Sequence, residues 1–402
     1  MAVITTTRAV FNASQETTLK RDVDESMLKL EPDAAPLWVL TNQAKKRAPS
    51  IAPKFEWFED AEAPLWGQVN NGVDYNNAAV SIVVVDGTIF AVDDLVIVPK
   101  PTGAGISQIE EIILVTAVAG NTLTVVRGIG GAGTADVISK TSSLRILGQA
   151  CVEGAGVPTV RSTQKVPKMS YCQYFRTPIK TTEIMEATEA FAVPEGERNY
   201  QRGVSLVRHR SEIEAAGLWG QGSETLAQAG SRWTTQGVKA TISTNITDFS
   251  TTLTYTSMLK FGEKGFRFGE KEKLCMAGPS LLSAFDFFSA NKILTNVQDT
   301  VFGVNIKKIV SNHGTYMIAN NFRMEAGIAG AAGFDDELYL IDLPSVTFRY
   351  LAGNGKNLNT KLYENVVQDG SARTVDEYRS MVGWQVRHER KHARGYNATA
   401  FA

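Results

Sequence analysis

Between Val80 and Leu147 the chain carries short runs of β-branched and aliphatic residues, each cut off by a turn signal, and nothing else in the sequence limits the fold as strongly. Val80 to Val85 stops at Asp86-Gly87, and Leu95 to Val98 stops at Pro99 and Pro101. Ile109 to Val118 and Thr122 to Val126 flank Gly120-Asn121, and Leu144 to Leu147 closes the set. β-Branched side chains lose rotamer freedom in a helix and pack well on a pleated surface. Asn-Gly and Asp-Gly pairs enter tight turns at little steric cost. Short strands at this spacing predict a small β-barrel or sandwich. In a chain of 402 residues that module is an insertion within a larger body.

The surrounding sequence reads as mixed α+β. Phe55-Glu56-Trp57 alternates as a half-buried strand does. A proline-free stretch from Pro194 to Gly220 starts with Glu195 and Glu197 and repeats Tyr200, Val204, Val207, Ala215 and Leu218 at helical intervals. It predicts a long helix of roughly 35 Å at 1.5 Å rise per residue. Its charged residues Arg202, Arg208, Arg210, Glu212 and Glu214 are expected to face away from the core. Pro279 to Lys292 predicts a second helix with Leu281, Leu282, Phe285 and Phe288 as its apolar stripe. Strands are expected at Met169 to Phe175, Lys271 to Met276, Val304 to Val310, Tyr316 to Ala319, Leu338 to Ile341, Thr347 to Leu351, Thr360 to Gln368 and Val382 to Arg387. Residues 1 to about 50 hold too little apolar surface to fold alone and read as an arm that lies on something else.

Composition narrows function by exclusion. A net charge of −1 supplies no global attraction to nucleic acid or membrane. No stretch approaches the roughly 20 apolar residues that span a bilayer. Thr5, Thr6, Thr7 and Arg8 do not make the apolar core of a secretory signal, so folding in a cytoplasm is expected. Cys151, Cys172 and Cys275 have neither CxxC nor metal-ligand spacing and are expected to be reduced, with Cys151 and Cys172 the nearest pair in sequence.

Two motifs invite chemistry. Gly128-Ile129-Gly130-Gly131-Ala132-Gly133 is followed by Thr134-Ala135-Asp136, so it lacks the Lys-Ser/Thr pair of a phosphate loop and reads as a surface loop. His388, Glu389 and His392 match the HExxH pattern of zinc proteases, which requires a helix to bring both histidines to one face. The preceding residues read as strand, and Arg387, Arg390, Lys391 and Arg394 surround the motif with positive charge that opposes a divalent cation. No metal, no cofactor and no catalytic residue is therefore assigned. The same four basic residues suit contact with an adjacent subunit, solvent or DNA phosphates.

Several segments, in their order along the chain, resemble the major head proteins of tailed bacteriophages, in the branch with a β-rich insertion in its extended loop. Leu30-Glu31-Pro32-Asp33-Ala34-Ala35-Pro36-Leu37 is similar to an early proline-bracketed element of that family, and Phe55-Glu56-Trp57-Phe58-Glu59-Asp60 to the strand entering the extended loop. Asp86 to Asp94 and Leu123 to Gly128 resemble strands of the insertion. Glu212 to Gly220 resembles the end of the spine helix, and Leu340 to Val346 a late strand and turn.

The resemblance implies a non-enzymatic subunit of an icosahedral head, forming hexamers and pentamers that enclose a genome. It maps an N-terminal arm onto 1–50, an extended-loop stem onto 51–79 and 148–175, the β-rich insertion onto 80–147, a peripheral domain with the spine helix onto 176–235, and an axial domain with remaining peripheral strands onto 236–402. Implied partners are further copies of the chain, a portal protein at one vertex, a decoration protein and packaged double-stranded DNA held without sequence preference, with no membrane. The implied location is the virion, after assembly in the host cytoplasm. Competing readings are the shell of an encapsulin-like nanocompartment, a tail or baseplate component, and a metalloenzyme built on His388, Glu389 and His392.

Overall fold

The computed structural model describes residues 35–43, 46–99, 110–129, 135, 137–158, 160–188, 196–227, 230–290, 296–301, 304–325, 327, 333–366, 370 and 372–401. These fall into two compact units, residues 58–167 and the rest of the chain.

The smaller unit is rich in β-strand. Its strands Trp66–Gln68, Ser81–Val83, Asp94–Val98, Glu111–Ala119, Thr122–Val126 and Ser143–Gln149 form one sheet. Trp66–Gln68 and Ser81–Val83 are the ends of the strand order, yet they are joined by backbone bonds from Asn70 N to Val83 O and from Val85 N to Gln68 O, both 2.9 Å. Alternation along the strands sends Val96, Val98, Ile113, Val115, Leu123, Val125, Leu144 and Ile146 into a single apolar core. The two turn dipeptides meet: the Asn121 side chain accepts from Gly87 N at 3.2 Å and donates to Val85 O at 3.1 Å. A Cβ on Gly87 would fall on the Gly120 carbonyl, so the contact requires glycine. The remainder of the glycine-rich loop, 130–134, lies outside the described residues.

Two large sheets build the larger unit. One runs in the order Arg47–Ser50, Val346–Gly353, Arg373–Val386, Gln173–Thr182, and the long helix Glu197–Trp219 packs on its last two strands. The other is seven-stranded, in the order Ile246–Leu253, Ala393–Phe401, Leu338–Ile341, Glu272–Ala277, Thr315–Asn320, Val304–Val310, Asn296–Val301. Helices Tyr255–Gly265 and Pro279–Ala290 contribute Met258, Phe261, Leu281 and Phe285 to the core on this sheet. Small residues permit the closest approaches. A Cβ on Gly217 would lie 2.5 Å from the Trp384 ring, which also donates through Nε1 to Ile213 O at 3.2 Å.

The N-terminal reading needs correction. Helix Pro36–Gln43 places Leu37 and Leu40 in the main core, and Arg47–Ser50 pairs in parallel with Val346–Gly353. Residues 36–50 therefore belong to the larger unit instead of an arm spanning 1–50, and residues 1–34 lie outside the described residues.

Candidate functional site

The His-Glu-Arg-Lys-His string forms a turn and no α-helix. The strand Arg373–Val386 ends just before it, His388 takes a left-handed φ of 54°, and Glu389–Lys391 make a single 3₁₀ turn ahead of Ala393–Phe401. His392 is fully buried; its Nδ1 accepts from Asp342 N and its Nε2 donates to Arg387 O, each at 3.2 Å. With both ring nitrogens committed to backbone, it has no lone pair for a metal. Burial, above all, lowers its pKa to about 4, so the ring is neutral. The Glu389 carboxylate accepts from Ser243 N at 3.0 Å and from the Ser243 hydroxyl. Glu389 and His392 thus have structural roles, and the one-face geometry that zinc chemistry needs is absent from this turn.

The four basic residues separate. Arg394 donates to Glu337 Oε1 at 2.8 Å, where Lys239 Nζ also sits at 2.6 Å. Burial would raise the Glu337 carboxyl, but hydrogen bonds from Lys239 and Tyr339 and the Arg394 charge outweigh it and hold it below its ordinary value. Arg394 is consequently committed within its own chain. Arg387, Arg390 and Lys391 form no ion pair among the described residues. Arg387 and Lys391 line a cleft of about 240 Å³ with Glu270, Asp342, Ser345 and His388. Lys273 is fully buried and donates to Gly265 O, Phe268 O and Lys391 O, each at 2.6 Å, tying this turn to the central strand Glu272–Ala277. Burial draws its pKa down to about 8, against the opposing charge of Asp342.

The long helix is held to its sheet by charge as well as apolar packing. Asp376, buried on Arg373–Val386, receives Arg198 Nη2 at 2.6 Å and Nε at 2.8 Å, Arg202 Nε at 2.8 Å and Asn365 N at 3.0 Å. Burial would raise this carboxyl; those donors prevail and set it at about 2. Glu214 also turns inward, contrary to the expected outward face. It accepts from Trp38 N at 3.2 Å and Asn321 Nδ2 at 2.7 Å, and burial pushes its pKa up to about 8. Of the expected charged face, Arg208 and Glu212 are the pair that stays at the surface, 3.0 Å apart. Arg210 stacks over the Trp38 ring at 4.8 Å.

Apolar side chains remain uncovered along specific segments. Ile51 is 91% exposed, Phe58 70%, Val157 93%, Val160 82% and Ile184 80%. Residues 150–158 and 160–165 have no strand or helix and are exposed throughout. The Arg161 guanidinium nevertheless reaches the buried Asp94 carboxylate, which also accepts from Ala91 N at 2.8 Å. All three cysteines are free, Cys151 at the surface and the others buried; burial pushes the Cys172 thiol up to about 12.

Sequence reasoning did not single out Arg161, Asp376 or Lys273, and it placed Glu214 on the outward face. Each is one charged residue whose importance comes from a partner distant in the chain, such as Arg198 for Asp376. No local spacing marks such pairs.

A family model described as "SU10 major capsid protein" matches residues 3–399. No curated protein matches the sequence. Among solved structures, the chain is similar to the capsid of an empty GTA particle, with 7% identity, TM-score 0.52, and 97% of this chain and 99% of that chain covered. The capsid of a native GTA particle gives 8% identity and TM-score 0.50 over the same shares. An encapsulin complex from Synechococcus elongatus gives 9% identity and TM-score 0.43, covering 59% of this chain and 78% of that one.

Proposed function

From the premise that this chain belongs to the SU10 major capsid protein family, we propose how its own residues build a shell. The protein is a structural subunit of a tailed-phage head, located in the virion and assembling in many copies around the genome. The exposed apolar residues of the extended segments, Ile51, Phe58, Val157 and Val160, are the observation that carries the residue-level reading. Leaving such side chains in water forgoes about 1.5–3 kcal/mol each, which burial against a neighbouring copy recovers. Obligate interfaces commonly bury more than about 2,000 Å², and segments without regular structure adapt to slightly different neighbours around a closed shell.

In this reading residues 51–79 and 148–175 form the extended-loop stem and carry the 80–147 insertion. The long helix and its sheet make the peripheral domain, and the seven-stranded sheet with its two helices makes the axial domain. A portal protein, a decoration protein and sequence-neutral DNA contact complete the proposed partners, with assembly in the host cytoplasm. The chain performs no catalysis.

Negative-stain electron microscopy of the chain expressed alone tests the reading. Closed polyhedral particles are expected. Tubes or discs would replace it with a tail-component role, and closed particles that hold cargo protein in every condition, with DNA in none, would favour a nanocompartment.

A further inference from the structure

Arg349 and Arg387 converge on one neutral acceptor, and neither forms an ion pair among the described residues. Arg349 Nε donates to Gln385 Oε1 at 2.8 Å, and Arg387 Nη2 approaches the same neutral oxygen at 3.5 Å. The second distance is too long for a good bond, so Arg387 is weakly satisfied within its chain. Besides burial, the charge of Arg387 lowers the Arg349 pKa, as like charges at close range do. Lys391 lines the same cleft as Arg387, and Arg390 stands exposed between them in sequence. Glu270 and Asp342 contribute acids to that cleft, but the buried Asp342 is engaged by the Ser345 hydroxyl and Glu270 N, with the Lys273 ammonium close by. The outer cations are left in excess, and Phe268, 42% exposed, lies one residue from the cleft-lining Gly269.

The complementary feature lies elsewhere in the sequence. Asp60 and Glu62 are exposed and form no ion pair among the described residues. Phe58, 70% exposed, precedes them; Leu65 and Trp66, 47% and 45% exposed, follow. An acidic pair bracketed by exposed apolar side chains, of which Trp66 carries Arg145 over its ring at 5.4 Å, matches in charge and hydrophobicity a cationic cleft adjoined in sequence by the partly exposed Phe268, under Arg267 at 5.5 Å.

We propose that the 58–66 strip of one copy docks at the Arg387/Lys391 cleft of a neighbouring copy, with Asp60 and Glu62 facing Arg387, Arg390 and Lys391. The proposal rests on the capsid reading and specifies one of its contacts. DNA phosphate is the less favoured occupant, because the apolar side chains flanking the acids, and Phe268 beside the cleft, find no match in a phosphate chain.

Charge reversal on each side, then on both together, tests it. The variants are D60K/E62K, R387E/K391E and the combined quadruple, with the unaltered protein as control; particle yield is read by sedimentation and negative stain. All four positions are at the surface or the cleft rim, and circular dichroism with thermal unfolding of each variant verifies folding. Each reversed pair is expected to lower the fraction of subunit in particles by about tenfold or more, and the quadruple to restore most of it. Undiminished assembly in either double variant, or a quadruple no better than the worse double, overturns the proposal. So does a loss in R387E/K391E confined to DNA retention with normal particle yield, which would assign the cleft to phosphate. If the unaltered protein forms no closed particle either alone or when co-expressed with a portal protein, the capsid reading itself fails, an outcome distinct from all of these.

Discussion

Replacing Asp376 with asparagine isolates the charge that fastens the long helix to its sheet. In the native subunit this carboxyl is held near 2, against an ordinary value of 3.8. At about 1.4 kcal/mol per pH unit that difference corresponds to about 2.5 kcal/mol. Arg198 and Arg202 are 25% and 19% exposed, and water reaching them screens the attraction, so about 1–2 kcal/mol is the working figure. Asparagine leaves Arg198 with Glu186 at 3.9 Å and Arg202 with Glu364 at 3.0 Å as remaining counter-charges, so the expected loss at pH 7 stays at about 1–2 kcal/mol. As pH falls, the unfolded chain takes up its proton first, near 3.8, while the folded carboxyl resists until about 2. The aspartate's advantage is therefore complete above about pH 5 and declines as pH falls toward 2. Urea unfolding of unassembled wild type and D376N, followed by circular dichroism between pH 7 and 2.5, reads the difference directly. A gap of the expected size that narrows below pH 4 supports the reasoning. A gap that stays constant with pH would refute it, because the loss would then come from shape or hydrogen bonding and not from charge.

Other outcomes follow from the same packing. Gly217→Ala drives a methyl into the Trp384 ring and is expected to cost about 1–3 kcal/mol in thermal unfolding. Lys273→Met strands the carbonyls of Gly265, Phe268 and Lys391 and is expected to cost about 2–4 kcal/mol, measured by urea unfolding. For Glu214, raised from 4.5 to about 8, the folded state holds the proton longer, so its stabilising effect is full below 4.5 and is lost as pH rises through about 8. Glu214→Gln should flatten that slope in a pH series of melting temperatures. His392→Gln should bind no less zinc than wild type by equilibrium dialysis, since both native ring nitrogens already serve backbone groups.

Legibility in the sequence followed the locality of the cause. The strands of the smaller unit were readable because alternation and turn chemistry act within a few residues, as the Gly120-Asn121 hairpin does. The long helix was readable from its period, and its observed bounds are Glu197–Trp219. The C-terminal strand Ala393–Phe401 was not, since its paired neighbours Leu338–Ile341 and Ile246–Leu253 are distant and its own sequence lacks a β-branched run. Helix Pro36–Gln43 was missed because Leu37 and Leu40 gain their burial from a core assembled by later segments. The inward turn of Glu214 was unreadable for a similar reason: its partners Trp38 and Asn321 lie 176 and 107 residues away.

The uncovered segments of the subunit are expected to be covered by other copies in the shell. Hydrogen exchange with mass spectrometry on dissociated subunits and on assembled particles tests it most directly. Strong protection on assembly is expected for peptides covering residues 51–66 and 150–165, where Ile51, Phe58, Val157 and Val160 stand exposed in the free chain. Equal exchange of those peptides in both states would contradict it.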